Sequence, residues 1–273
     1  MANSTREDCR KYYETWFRPN ISYLVVVGDL SLAETKKLVS SYFGKWKKAE
    51  TPKQEFAPAL QPEKTQIVMV DKDDAVQSVI QVGYPITYTP GSPDAIPASV
   101  MNFVLGGGAS SRLFMNLRED KAYTYGAYSS LSSDEYMGRF GASASVRNAV
   151  TDSAVQEIMA EMKKMREDTV STNELARTKN YLMGSFARSL EDKQTVGNFA
   201  LNIERYKLPK DYYQNYLKNL EAVNKVDVGK MAQKYILPEQ AYIIVVGKKS
   251  ETAQGLERFG EVIYYDKWGK KME

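Results

Sequence analysis

The chain contains no histidine. Catalytic zinc sites are built largely on imidazole ligands, and Ser-His and Cys-His hydrolases need an imidazole base, so these mechanisms are closed to this chain alone. Carboxylate chemistry needs no histidine, yet no paired acidic motif stands out from the solvated helix faces. The one cysteine, Cys9, excludes an internal disulfide. No run of about 18 apolar residues occurs, so no membrane-spanning helix is expected. The opening residues Met1-Ala2-Asn3-Ser4-Thr5-Arg6-Glu7-Asp8 lack the apolar centre of a signal peptide, so none is expected within this chain. An excess of one charge sign is also missing. The 37 basic and 34 acidic residues leave a net charge of +3, without the basic stripe of a nucleic-acid surface.

What is present is ordinary globular chemistry: 273 residues, 43% hydrophobic and 26% charged, enough for one large domain or two modest ones. Two segments match at a constant offset. Phe17-Arg18-Pro19-Asn20-Ile21-Ser22-Tyr23-Leu24-Val25-Val26-Val27-Gly28 parallels Ile236-Leu237-Pro238-Glu239-Gln240-Ala241-Tyr242-Ile243-Ile244-Val245-Val246-Gly247. In both, a helical pattern ends before a proline, a β-branched strand follows, and a glycine turn leads to another helix. The offset of 219 residues points to a duplicated unit. Residues 1–60 then read as the tail of one copy plus a linker, and 61–273 as a complete second copy, so the strand Tyr23–Gly28 lacks its sheet.

Along the chain, Ser4-Thr5-Arg6-Glu7 reads as a capping box opening a helix to about Trp16, and Ser31-Leu32-Ala33-Glu34 as another opening a helix to about Phe43. Residues 45–64, with Pro52, Pro58 and Pro62, read as a linker. Gln66–Val70 and Gln77–Gly83 read as strands, 93–105 and 110–118 as helices, and Tyr123–Leu131 and Met137–Val146 as a hairpin. Val155, Ile158, Met159, Met162 and Met165 fall at helical spacing. A third capping box, Ser171-Thr172-Asn173-Glu174, opens the next helix. Helices follow near 193–206, 210–221 and 225–235, then strand Tyr242–Val246, a short helix and strand Val262–Tyr265. Strands in blocks and helices in blocks define an α+β class: one mixed, mostly antiparallel sheet covered by helices on one face.

The chemistry-bearing stretch runs from Val104 to Tyr125. A helix ends at Gly106-Gly107-Gly108. Ser110 or Ser111 is placed to cap a short helix that delivers Arg118 near its end, and a strand carrying Tyr125 follows. A guanidinium fork and a phenol converging on one point can hold a peptide carbonyl or the oxyanion formed on attack. Taken singly, Arg118 also fits a solvent-facing ion pair, and Tyr125 a half-buried strand residue. The glycine triplet fits neither GxGxxG nor the P-loop, which speaks against phosphate binding.

The glycine triplet, Ser111-Arg112-Leu113, Leu117-Arg118-Glu119 and the Ala122-Tyr123-Thr124-Tyr125 strand together resemble the second-domain signature of pitrilysin/insulinase-type zinc peptidases, which include the mitochondrial processing peptidases. Arg18-Pro19-Asn20, the turn Val25-Val26-Val27-Gly28-Asp29 and the closing Val245-Val246-Gly247 segment fit the same family. The resemblance covers about residues 4–266. It implies a processing-peptidase-like domain, one of a pair closing around a chamber. Zinc and its HxxEH helix would lie in a partner half, in the same polypeptide or a separate subunit, and this chain itself would bind no metal and catalyse nothing alone. It further implies that Arg118 and Tyr125, seven positions apart, hold the peptide substrate, with Tyr123 a competitor two positions earlier on the same strand face. A bacterial periplasmic or cell-envelope location is implied by the same likeness. A catalytically dead structural or assembly subunit of the same fold is the alternative.

Overall fold

The computed structural model describes residues 4–57 and 59–272. Two compact units emerge, Met1–Ala57 with Ser185–Gln214 and Pro58–Gly184 with Asn215–Glu273.

The larger unit is built on one six-stranded sheet. Its strands are β1 (Gln66–Asp71), β2 (Gln77–Ile86), β3 (Thr124–Ser132), β4 (Gly138–Arg147), β5 (Tyr242–Gly247) and β6 (Val262–Tyr265), in the order β3-β4-β2-β5-β1-β6. β2 runs antiparallel to β4 and β5, and β3 antiparallel to β4, while β1 lies parallel to both β5 and β6. The sheet is therefore mixed and mostly antiparallel, as expected from the sequence.

Strand side chains alternate between faces. Ile80, Val82, Phe140, Ala142, Ala144, Val146, Ile243 and Val245 point to one face and are buried. There they meet helices of this unit, including one spanning Ala95–Gly106, another spanning Thr151–Glu167 and a third spanning Lys225–Tyr235. Met101, Leu105, Ile158 and Met162 on those helices are fully buried in the same core. Truncating any of them to alanine typically costs about 2–5 kcal/mol, so this face carries the unit's stability. Helices cover one face only, leaving the other as an open surface of Gln77, Val79, Gln81, Ser143, Ser145 and their neighbours.

In the smaller unit, one helix spans Arg6–Trp16 and another Leu32–Phe43. The first capping box closes one residue later than the sequence suggests. The Asp8 amide donates to Thr5 Oγ1, and the Thr5 amide donates to the Asp8 carboxylate at 2.8 Å. The boxes Ser31/Glu34 and Ser171/Glu174 form as expected. A helix over Lys193–Arg205 follows a short turn after Ser189, and Phe186, Phe199 and Tyr213 stack in series. The helix expected over 210–221 is shorter: turns occupy 210–215 and the helix spans Tyr216–Ala222.

The expected strand Tyr23–Val27 does not form. The segment takes no regular structure, and Tyr23, Leu24, Val25, Val26 and Val27 are all exposed. Its counterpart β5 is a strand because β1 and β2 flank it, whereas the smaller unit holds no strand to play either part among its described residues. The order of elements is nevertheless the same in both places. Each run goes from a helix through a 3-10 turn that begins at proline, Pro19–Ile21 or Pro238–Gln240, to the apolar run and a further helix.

Candidate functional site

Arg118 lies on an irregular turn. A single turn at Arg112–Phe114 continues as a π-helix over Met115–Asp120, in which the Lys121 amide donates to the Asn116 carbonyl five residues back at 3.0 Å. Such π-turns concentrate at functional sites because the extra residue re-aims side chains. Ala122 then takes a left-handed conformation with φ of 53°, unusual for a residue with a Cβ. Its carbonyl accepts from the Arg147 guanidinium at 3.1 Å. The turn is also fixed from beneath, where Asn116 donates to Glu157 at 2.9 Å and Glu161 at 2.8 Å on the Thr151–Glu167 helix.

A second anchor sits at the start of this turn. Arg112 donates to Glu174 Oε1 at 2.8 Å, and both side chains are largely buried. Burial alone would raise the Glu174 carboxyl. The Arg112 guanidinium, the Ser171 amide and the Ser171 hydroxyl outweigh it and hold the group at about 2, against an ordinary value of 4.5. A depressed carboxyl stabilises the fold above its unfolded value and loses that contribution as pH falls toward its folded value. Thermal denaturation should therefore show an acid-induced loss of stability between about pH 4.5 and pH 2 that Glu174→Gln removes. At pH 7, Arg112→Ala should cost on the order of 2 kcal/mol, since it strands a partly buried carboxylate.

The Arg118 guanidinium is half-exposed. It lies 3.5 Å from the equally exposed Glu119 carboxylate, a surface pair of little energetic weight, and sits over the Phe114 ring at 4.9 Å. Phe114 in turn packs 5.9 Å from Tyr128. Tyr128 and Tyr125 line one side of a groove of about 560 Å³ on the open sheet face, with Val79, Gln81, Ser143 and Ser145 as floor and opposite wall. Tyr125 is 88% exposed. The register between β3 and β4 shifts between Thr124 and Ala127, so β3 carries one extra residue there, and the bulge falls at Tyr125. Tyr123 does not share the Tyr125 face: it precedes β3 and packs partly buried against the core. Tyr125 and Tyr128 line this groove, whereas Phe114 and Arg118 do not: they sit on the irregular turn that packs against β3 and the Thr151–Glu167 helix, and no hydrogen bond or ring contact joins Arg118 to Tyr125 among the described residues.

The glycine triplet serves packing. A Cβ on Gly106 would stand 2.2 Å from the Ser129 amide nitrogen, so this glycine lets the helix end lie directly on β3, while one on Gly107 would stand 2.5 Å from the Phe103 ring of the same helix. The Gly107 amide is taken by the Phe103 carbonyl, and the Gly108 carbonyl accepts the Ser111 hydroxyl at 2.6 Å. Ser111 occupies the N-cap position, but its hydroxyl turns back to Gly108 and does not cap the helix.

Sequence reasoning missed Tyr128, Gln81 and Arg139 on the open face. The signal was the period-two alternation in β4, where Gly141, Ser143 and Ser145 alternate with Phe140, Ala142, Ala144 and Val146. Among the described residues no group of three or more His, Cys, Asp or Glu side chains is placed to hold a metal, so the donor set for a zinc centre is not found there. No helix among them is long and apolar enough to cross a membrane.

The larger unit is thus a mixed α+β domain with helices on one sheet face and a tyrosine-lined groove on the other. Residues 3–182 match the family model described as the peptidase M16 inactive domain, and the chain belongs to that family. It is 26% identical over 255 residues to the uncharacterized zinc protease YmxG of Bacillus subtilis (strain 168), covering 90% of this chain and 58% of that protein. It is 23% identical to the probable inactive metalloprotease YmfF of the same organism, covering 84% of this chain and 53% of that protein. The crystal structure of a protease from Helicobacter pylori superposes with a TM-score of 0.80 at 19% identity, covering 90% of this chain and 60% of that one. The chain spans little more than half the length of the curated relatives it matches.

Proposed function

We propose that this chain is the substrate-gripping, non-zinc portion of an M16 metalloendopeptidase, in which Arg118 and Tyr125 hold the peptide while zinc and the general base come from an HxxEH-bearing half. The observation that carries this reading is Tyr125. It is a phenol left 88% exposed by a strand bulge at the edge of a groove, in a unit whose stability resides on the opposite sheet face. The half-exposed Arg118 on its π-turn supports it. Pairing the chain with the HxxEH-bearing half and measuring peptide cleavage for Arg118→Ala and Tyr125→Phe tests it. Unchanged kcat/KM in both variants rejects the role.

Residues 1–60 belong, on this reading, to the tail of a preceding homologous domain, and 61–273 to a complete copy. The exposed apolar run Tyr23–Val27 supports this. Its backbone amides should exchange with deuterium almost unprotected in the chain alone and become protected once the zinc half is added. Equal exchange in both states excludes the assignment. A periplasmic or cell-envelope location goes with the family resemblance to bacterial members.

The second reading, a catalytically dead structural or assembly subunit, is favoured by the name of one relative, a probable inactive metalloprotease. An intact HxxEH helix in the same polypeptide or a neighbouring gene product removes it.

A further inference from the structure

The open face carries a second cavity, of about 490 Å³, that the Arg118 and Tyr125 reading does not use. The strand register defines its floor. Ser130, Gly141, Gly83 and Tyr242 lie side by side across β3, β4, β2 and β5, so two adjacent positions in the middle of the row are bare backbone. Leu60, Met137 and Ile244 form apolar walls. The segment bearing Leu60 is tied down next door, where the Gln61 side chain donates to the Pro85 carbonyl at 2.8 Å.

Arg139 stands at one end of this cavity, in the next row, opposite Pro85 and Ser132. It is the one charged residue lining the cavity among the described residues, and no acidic side chain lines it. Arg139 is exposed and makes no hydrogen bond or ion pair with any described residue, in contrast to Arg112, Arg147 and Arg258, each tied to an acceptor. An apolar seat with a bare backbone floor and one uncompensated guanidinium is complementary to an apolar side chain next to a carboxylate. Gln81 and the neighbouring row join this cavity to the groove beside Tyr125. Ser145, at the Tyr125 level, is six positions along β4 from Arg139, which is about 20 Å of extended chain.

We propose that this cavity is a peptide subsite selecting a bulky apolar residue adjacent to a carboxylate, roughly six residues from the bond held at Tyr125. It rests on the peptide-gripping reading and adds to it the class of substrate. The glycine pair receives the apolar side chain, and the Arg139 fork takes the carboxylate.

The test is fluorescence anisotropy with the full 273-residue chain, so that cleavage and the zinc half play no part. The probes are fluorescein-labelled, C-terminally amidated decapeptides of alanine and serine with one phenylalanine followed by Glu, Gln or Lys. A fourth peptide ends in phenylalanine with a free carboxylate. Wild-type chain should bind the Glu peptide about fivefold or more tighter than the Gln peptide, with the Lys peptide weakest. Arg139→Gln, an exposed and structurally mild change, should level the three. Tighter binding of the free-carboxylate peptide than of the Glu peptide assigns Arg139 to a chain terminus, and the reverse assigns it to an acidic side chain. Gly141→Ala places a methyl against the flexible end of Gln81 and should weaken every phenylalanine peptide. Equal affinities in wild type, no binding at all, or a preference that survives in Arg139→Gln overturns the subsite. Failure of the gripping role appears separately, as cleavage indifferent to Arg118 and Tyr125.

Discussion

Arg118→Ala and Tyr125→Phe should each lower kcat/KM of the assembled peptidase by about 100-fold, or about 2.7 kcal/mol of transition-state stabilisation, the usual loss for one well-placed oxyanion donor. The expected signature is a fall in kcat with KM nearly constant, because a donor aimed at developing charge acts mainly in the transition state. Arg118 is half-exposed beside Glu119 and Phe114 and Tyr125 is 88% exposed, so neither substitution should shift the melting temperature appreciably. The double variant should lose less than the product of the single losses if both donors serve one oxygen. A melting temperature that falls along with activity would instead mark the residues as structural. Arg118→Lys should recover little, since an ammonium cannot reproduce the planar fork.

Gly106→Ala should destabilise the larger unit by about 3 kcal/mol, near the upper end for overpacking, because the new methyl would stand 2.2 Å from a backbone nitrogen of β3. A backbone atom cannot swing aside as a side-chain tip can, so the helix end must lift off the strand. For a unit of this size the melting temperature should drop by roughly 6–12 °C. Gly184→Ala supplies the contrast: nothing lies within 4 Å of its Cβ position, mid-helix, and the change should stabilise by about 0.5–1 kcal/mol. Calorimetry on the two variants separates the outcomes by sign. A Gly106→Ala variant that melts like wild type rejects this close approach of helix and strand. Inorganic phosphate and ATP should leave the wild-type melting temperature unchanged, since the Gly107 amide is already committed to Phe103.

Much of the larger unit is legible in the sequence because its elements carry strong periodic signals. The alternating β4 and the helix bearing Val155, Ile158 and Met162 could hardly be read otherwise, and the Ser171/Glu174 box marked its helix start to the residue. What escaped depends on partners or on local irregularity. Tyr23–Val27 has every residue preference of a strand, yet strands exist only in pairs, and the smaller unit holds no strand to pair with it among its described residues. The shift of the first cap from Ser4 to Thr5 turns on whether Glu7 or Asp8 reaches back, a choice between adjacent carboxylates that residue type does not decide. At the candidate site, the spacing of Arg118 and Tyr125 was visible, but the π-turn, the left-handed Ala122 and the bulge in β3 were not. Each adds or redirects a single residue, and no residue type announces it. Tyr123 and Tyr125 part company because β3 begins only at Thr124, after the left-handed Ala122, so Tyr123 lies outside the strand's alternation.

The surplus residue in the Met115–Asp120 turn has a consequence for how this site can vary among relatives. An ordinary helix advances about 100° per residue, so a relative one residue shorter at this point would swing its arginine about a quarter-turn away from Phe114 while leaving the motif intact in an alignment. Matching letters at this position are therefore a weaker sign of a working grip than matching lengths between the glycine triplet and the first residue of β3.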